Sequence, residues 1–306
     1  MKIAIIGAGA MGCLYGAKLA AAENEVHLID VVKEQVDAIN ARGIVIEDEA
    51  GQVTVENLSA AMSASFVGHA DLAIVFVKST LTGQAVTRSL PVFGPKTTAL
   101  TLQNGLGNVE LISEAVGSEY VVAGTTAHGA TMLEPGKIRH AGRGITVIGE
   151  LDGRETARIK EIERVFNEAG IETRVSDNVT GLIWDKLLVN AGINALTGIT
   201  RLHNGELLNY PELVELMELA VSEGLAVAKA KGVKLEFKDP VAHTKDVCRA
   251  TAKNKASMLQ DVLNKKKTEI DMINGAIVRE GAECGIETPI NKALTNLIKF
   301  IELTYP

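Results

Sequence analysis

The chain opens on KIAII (2–6), runs straight into GAGAMG (7–12), and continues as a helical pattern from Met11 to about Ala22. Position constrains the fold here more than composition does. A short β-branched run reads as a buried strand, and glycines that end a strand and open a helix restrict the turn between them. Gly7 permits the tight turn, Gly9 removes a side chain from the approach to the helix, and Gly12 lets helix and strand pack closely. The first helical turn, with Ala10 and Met11, then offers backbone N–H groups to an anion. In this strand-to-helix context the pattern predicts a dinucleotide site. An ordinary glycine-rich turn is the plainer alternative.

The alternation continues. EVHLID (25–30) reads as a second strand, and KEQVDAINARG as a helix stopped by Gly43. IVIED and GQVTVEN form a short antiparallel hairpin around Gly51. DLAIVFVK (71–78) and TTALTLQ (97–103) are further strand runs with a helix between them. YVVAGTTAHGA is a strand region, and KIRHAGRGITVIGE reads as a hairpin broken at Gly142 and Gly144. RETARIKEIERVFNEAG is an amphipathic helix ending at Gly170, followed by ETRVS (172–176) as a last strand. Such alternation predicts a mostly parallel sheet covered on both faces.

After Asp177 the β-rich runs stop. PELVELMELAVSEGLAVAKAKG starts with a proline suited to a first helical position, beside Asn209 as a candidate cap. SMLQDVLNKK, TEIDMINGAIVREGAECG and PINKALTNLIKFIEL follow as three more helices, the last opened by Thr288–Pro289. The chain therefore divides into an α/β domain, 1–176, and an all-helical domain, 177–306.

Composition removes several function classes. A net charge of −7 provides no basic field for nucleic acid or anionic lipid. No apolar run approaches the roughly 20 residues that span a bilayer, and the N-terminus has no cleavable leader pattern. Cys13, Cys248 and Cys284 are few and far apart, as expected of a reducing, cytoplasmic setting. Neither HxxxH nor CxxC spacing occurs, so no metal is expected.

Polar residues then mark a site. The second strand ends at Asp30, about twenty residues beyond the glycines, where an acid can accept hydrogen bonds from ribose hydroxyls and repel a 2′-phosphate. That favours NAD, although Lys33 nearby could attract the phosphate. Lys78 and Asn104 fall at strand ends, on the ligand side of an open α/β sheet; a surface lysine and an Asn-Gly turn are the plainer readings. In WDKLLVNAGINALT (184–197), Lys186, Asn190 and Asn194 recur every four residues, one slanting stripe of a helix. A lysine there could protonate a carbonyl oxygen during hydride transfer, with the carboxamides as neutral donors. The competing reading is a snorkelling lysine with asparagines in interhelical hydrogen bonds. Ser257 and Glu269 read locally as helix caps, Ser257 in an S-x-x-Q box with Gln260.

GAGAMG, VKST, QNGLGN, WDKLLVNAGINALT, NGELL, SMLQD and TEIDMINGA occur in this order. From Met1 to about Ile298 the chain thereby resembles the ketopantoate reductases (2-dehydropantoate 2-reductases). The resemblance implies a Rossmann-type domain followed by an all-α domain like the C-terminal one of 6-phosphogluconate dehydrogenase, with the catalytic site between them. It implies reduction of 2-dehydropantoate (ketopantoate) to (R)-pantoate by hydride from NAD(P)H, in pantothenate and coenzyme A biosynthesis, with NADP expected of the family. It makes Lys186 the general acid and Glu269 the partner of the substrate hydroxyl. Ser257 would hold the carboxylate, Asn190, Asn194 and Asn204 would line the pocket, and Lys78 and Asn104 would lie near nicotinamide and substrate. One departure stands out: members of the family often carry an arginine after the second strand, whereas this chain reads IDVVKEQ. That again favours NAD. It also opens a second reading as an NAD-linked D-2-hydroxyacid dehydrogenase. A non-catalytic NAD(P) sensor is the remote third, and a homodimer through the helical half is compatible with the pattern.

Overall fold

A computed structural model describes residues 1–305. Contacts divide the chain into two units, Met1–Gln103 with Asn108–Val179, and Asn104–Gly107 with Thr180 onward. The short Asn104–Gly107 loop thus packs with the helical unit although its neighbours in sequence belong to the first.

In chain order the first unit contains β1 (Lys2–Ile6), α1 (Ala10–Ala21), β2 (Glu25–Ile29), α2 (Lys33–Arg42), β3 (Ile44–Asp48), β4 (Gly51–Val55), β5 (Ser59–Ala61), β6 (Leu72–Val75), α3 (Thr82–Arg88), β7 (Thr98–Thr101), α4 (Asn108–Val116), β8 (Val121–Thr126), β9 (Gly129–Glu134), β10 (Lys137–Gly142), β11 (Thr146–Glu150), α5 (Ala157–Glu168) and β12 (Thr173–Val175). Eight strands form one sheet in the order β12-β11-β8-β7-β6-β1-β2-β5. All pairs are parallel except β8 with β11. Successive residues of β1 bury on opposite faces, Ile3 and Ile5 with α1 and α5, Ala4 and Ile6 with Val86 of α3 and Ile112 of α4. The register levels the carboxyl ends of four strands: Ile6 pairs with Ile29 and Val75, and Val75 with Thr101. Gly7, Asp30, Phe76 and Leu102 therefore leave the sheet along one edge.

A second sheet, β4-β3-β10-β9, confirms the hairpin around Gly51, with Asp48 opposite Gly51. The hairpin expected within KIRHAGRGITVIGE does not form. β10 pairs with β9 and β3, while β11 pairs with β8 and β12 in the other sheet. A Cβ on Gly144 would meet the carbonyl oxygen of Ala127 at 2.7 Å, so this glycine lets the chain pass closely from one sheet to the other.

The helical unit contains α6 (Val179–Thr200), α7 (Pro211–Ala230), α8 (Pro240–Ala250), α9 (Ser257–Leu263), α10 (Asn274–Cys284) and α11 (Pro289–Leu303). Helix α8 lies outside the sequence expectation although its start is a regular one, with Asp239 accepting from the Ala242 N–H at 2.9 Å ahead of Pro240. Helix α7 begins after Tyr210 rather than Asn209, which closes a 3₁₀ segment, Asn204–Asn209. The single helix expected from TEIDMING breaks into a 3₁₀ turn, Ile270–Met272, and α10, because Ile273 takes ψ −96° between them. No described helix is long and apolar enough to cross a membrane.

Candidate functional site

Two glycines of the loop sit in close approaches and the third faces open space. Gly7 sits at φ +104°, and a Cβ there would meet Val77 N at 2.8 Å. A Cβ on Gly12 would fall 1.9 Å from the Gly7 carbonyl oxygen, so helix and loop approach as only glycine allows. A Cβ on Gly9 would meet nothing within 4 Å. Its missing side chain instead leaves space over the N-terminus of α1, where no side chain caps Gly9. Ala10 and Met11 form the first turn of that helix. A clear approach to uncapped N–H groups fits a pyrophosphate.

Asp30 is built into this loop. Its Oδ2 accepts from the Ala8 N–H at 2.7 Å and its Oδ1 from the Val32 N–H at 2.9 Å. A carboxylate has about four acceptor positions, so ribose hydroxyls can still be received. Lys33 pairs instead with Asp37, one helical turn along, and Val31 and Val32 are exposed beside Asp30.

Strand β6 ends at Val75, and Lys78 follows as the residue that opens a 3₁₀ turn, Ser79–Leu81. A polar network that the sequence reading missed holds this edge. Gln103 donates to the Val77 carbonyl at 2.7 Å and to Thr82 Oγ1 at 2.8 Å. Thr82 donates to Asn108 Oδ1 at 2.8 Å, and Thr101 to Gln103 Oε1 at 2.9 Å. Gln103 and Asn108 thus bracket the Asn104–Gly107 loop, and QNGLGN itself is the signal that could have marked them.

In the helical unit, α6 carries Lys186, Asn190 and Asn194 on one slanting row, Asn194 buried. Desolvation of the Lys186 ammonium lowers its pKa to about 8, opposed by the negative charge of Glu269. The Glu269 segment is held from three sides. Thr268 donates its N–H and hydroxyl to Glu302 at 2.7 Å, the Leu106 N–H donates to the Met272 carbonyl at 2.9 Å, and Arg279 reaches the Asp271 carbonyl at 2.6 Å. Asn104 enters the same neighbourhood through that loop: a Cβ on Gly105 would lie 2.2 Å from the Met272 carbonyl oxygen.

The interhelical carboxamides belong to other asparagines. Asn274 donates to the Ala191 carbonyl and to Asn291 Oδ1, each at 3.0 Å, and Asn291 donates to Glu223 at 2.7 Å. The S-x-x-Q box is absent: Ala256 is the cap position, Ser257 is an exposed first helical residue, and Gln260 donates to the Lys255 carbonyl. Glu269 makes no side-chain cap bond either. Asn204 is drawn to α8, its Nδ2 donating to Thr251 Oγ1 at 2.9 Å, while its buried Oδ1 has no protein partner. Among the described residues no group of three or more His, Cys, Asp or Glu is placed to hold a metal ion.

Comparison with known proteins places this arrangement. The profile of ketopantoate reductase PanE/ApbA matches residues 3–153, and that of its C-terminal part matches residues 178–302. The chain belongs to the ketopantoate reductase family. A 2-dehydropantoate 2-reductase of Halobacterium salinarum is 36% identical over 302 residues, 99% of each chain. A crystal structure of a PanE/ApbA family ketopantoate reductase from Ralstonia eutropha superposes with a TM-score of 0.93 at 36% identity, covering 100% of this chain and 99% of that one. A ternary structure of D-mandelate dehydrogenase with NADH and anilino(oxo)acetate gives 0.94 at 30% identity, with the same coverage. The family is therefore NAD(P)H-dependent and acts on small 2-oxo acids, and the α/β-then-helical order read from sequence is its architecture.

Proposed function

We propose that this chain reduces 2-dehydropantoate to (R)-pantoate, a step of pantothenate and coenzyme A biosynthesis, with Lys186 as the proton donor. The observation that supports the proton-donor role is the place of Lys186 on the polar row of α6, where desolvation lowers its pKa to about 8 against the opposing charge of Glu269. Such a group is still mostly protonated at neutral pH and gives up its proton far more readily than an ordinary lysine.

When bound, the nicotinamide would supply the hydride. Lys186 donates a proton to the oxygen of the ketone as the C–O bond becomes an alkoxide, and its charge stabilises that oxygen beforehand. Asn190, Asn194 and Asn104 add neutral donors for the 2-oxo acid, Ser257 offers a hydroxyl to its carboxylate, and the Asn204 carboxamide oxygen can accept from a hydroxyl. Glu269 accepts from the substrate's own hydroxyl. A substrate hydroxyl offers that carboxylate a donor that an apolar 2-oxo acid lacks, which supports ketopantoate as substrate. Gly9, Ala10, Met11 and Gly12 would receive the pyrophosphate, Asp30 the adenosine ribose, and Lys78 the nicotinamide side.

For the cofactor, Asp30 with Val31 and Val32 beside it supports NADH over NADPH, because no arginine meets a 2′-phosphate and a carboxylate repels it. The likeness to D-mandelate dehydrogenase supports a second reading, reduction of aromatic or branched 2-oxo acids. Initial rates with ketopantoate and with phenylglyoxylate, each with NADH and NADPH, separate the two. Ketopantoate should give the higher kcat/KM, and a preference for phenylglyoxylate overturns the primary assignment.

A further inference from the structure

We propose that Gln35, on α2, is a positioning residue that aims the Gly9 N–H at the cofactor's pyrophosphate. This rests on the dinucleotide-binding reading of the glycine loop.

Gln35 is buried, and both the nitrogen and the oxygen of its amide are hydrogen-bonded inside the protein. Its Nε2 donates to the Ala8 carbonyl at 2.7 Å and to Cys13 Sγ at 3.2 Å. Its Oε1 accepts from the Gly136 N–H at 3.0 Å, in the turn between β9 and β10. One side chain therefore ties the glycine loop to the second sheet. Cys13 reinforces the same point, its thiol reaching the Ala8 carbonyl at 3.3 Å.

The consequence follows from peptide geometry. In a trans peptide the C=O and the next residue's N–H point in opposite directions from one plane. Holding the Ala8 carbonyl inward toward Gln35 turns the Gly9 N–H outward, and Gly9 is exposed with open space where a Cβ would be. Asp30 fixes the preceding plane through the Ala8 N–H. A buried amide and a half-buried carboxylate thus set two successive peptide planes before any cofactor arrives. Preorganised donors of this kind strengthen binding by removing the cost of ordering the loop.

Two substitutions test the role. Gln35→Met keeps size and loses every hydrogen bond. Gln35→Glu keeps the acceptor for Gly136 and loses the donor to Ala8, except at low pH, where a buried carboxyl regains its proton and can donate again. Titration with NADH, followed by nicotinamide fluorescence, should show about a tenfold weaker Kd for both variants near pH 8. For Gln35→Glu that loss should shrink as pH falls, and for Gln35→Met it should not. Saturating kcat and the KM for the 2-oxo acid should stay within about twofold of wild type. Wild-type affinity in both variants overturns the proposal. So does weakening that tracks a fall in Tm and lowers kcat alike, without pH recovery in Gln35→Glu. If the unaltered protein binds neither NADH nor NADPH, the dinucleotide reading itself fails, and Gln35 falls with it.

Discussion

The carboxylate of Glu269 raises the pKa of Lys186 while burial lowers it, and burial wins, leaving the ammonium near pH 8. The two residues belong to different segments, Lys186 to α6 and Glu269 to the position that opens the 3₁₀ turn before α10. Removing the lysine removes the proton donor without emptying the helix core, since Leu187 and Leu188 carry the packing. Lys186→Ala should therefore lose about 10²-fold or more in kcat with ketopantoate, with the thermal unfolding midpoint within a few degrees of wild type. Full turnover in the purified variant would remove Lys186 from the mechanism.

The same balance sets a pH profile. A general acid works only while protonated, so kcat/KM for reduction should be level below about pH 7 and fall above pH 8 as Lys186 loses its proton. Glu269 favours the charged ammonium, so Glu269→Gln should move the descending limb to lower pH. A limb that stays in place, or moves upward, contradicts the coupling between these residues.

Asp30 offers a test at the cofactor. Its charge supports the preference for NADH, while its two oxygens also hold the Ala8 and Val32 amides. Asp30→Asn removes the repulsion toward a 2′-phosphate and weakens the charge-assisted grip on the loop. The ratio of kcat/KM for NADPH over NADH should rise about tenfold, at one hydrogen bond's worth of discrimination. An unchanged ratio would mean that specificity lies elsewhere in the loop.

Some of this site could be read directly and some could not, for a physical reason. Gly7, Gly9, Gly12 and the Lys186 row are local patterns, fixed by one strand-to-helix turn and one helical period. The network of Thr82, Gln103 and Asn108 joins side chains on separate elements, and each residue alone looks like an ordinary loop polar group. Gln35 is more hidden still: it sits in KEQVDAINAR as one more polar helix residue, and only the close approach of Ala8, Cys13 and Gly136 gives its amide three partners. The misread hairpin at Gly142–Gly144 has the same origin. Glycine in a strand marks a turn or a close crossing equally well, and the partner strand decides. Spacing alone does not tell Asn190 and Asn194 from structural asparagines such as Asn274 and Asn291, whose interhelical bonds join residues far apart in sequence.

Two glycines of the loop should separate binding from folding. Gly12→Ala places a methyl 1.9 Å from the Gly7 carbonyl oxygen, a backbone atom that cannot swing away. The helix must shift, at a cost of about 3 kcal/mol, with the unfolding midpoint lowered and cofactor affinity lost together. Gly9→Ala meets nothing within 4 Å and keeps a backbone that alanine adopts freely, at φ −68°. Stability should stay within about 0.5 kcal/mol of wild type. The new methyl nonetheless occupies the approach to the first N–H groups of α1, so the Kd for NADH should rise at least about tenfold. Measuring Tm and NADH affinity for both variants decides the matter: if Gly9→Ala binds NADH like wild type, the pyrophosphate does not pass over Gly9, and the loop serves packing alone.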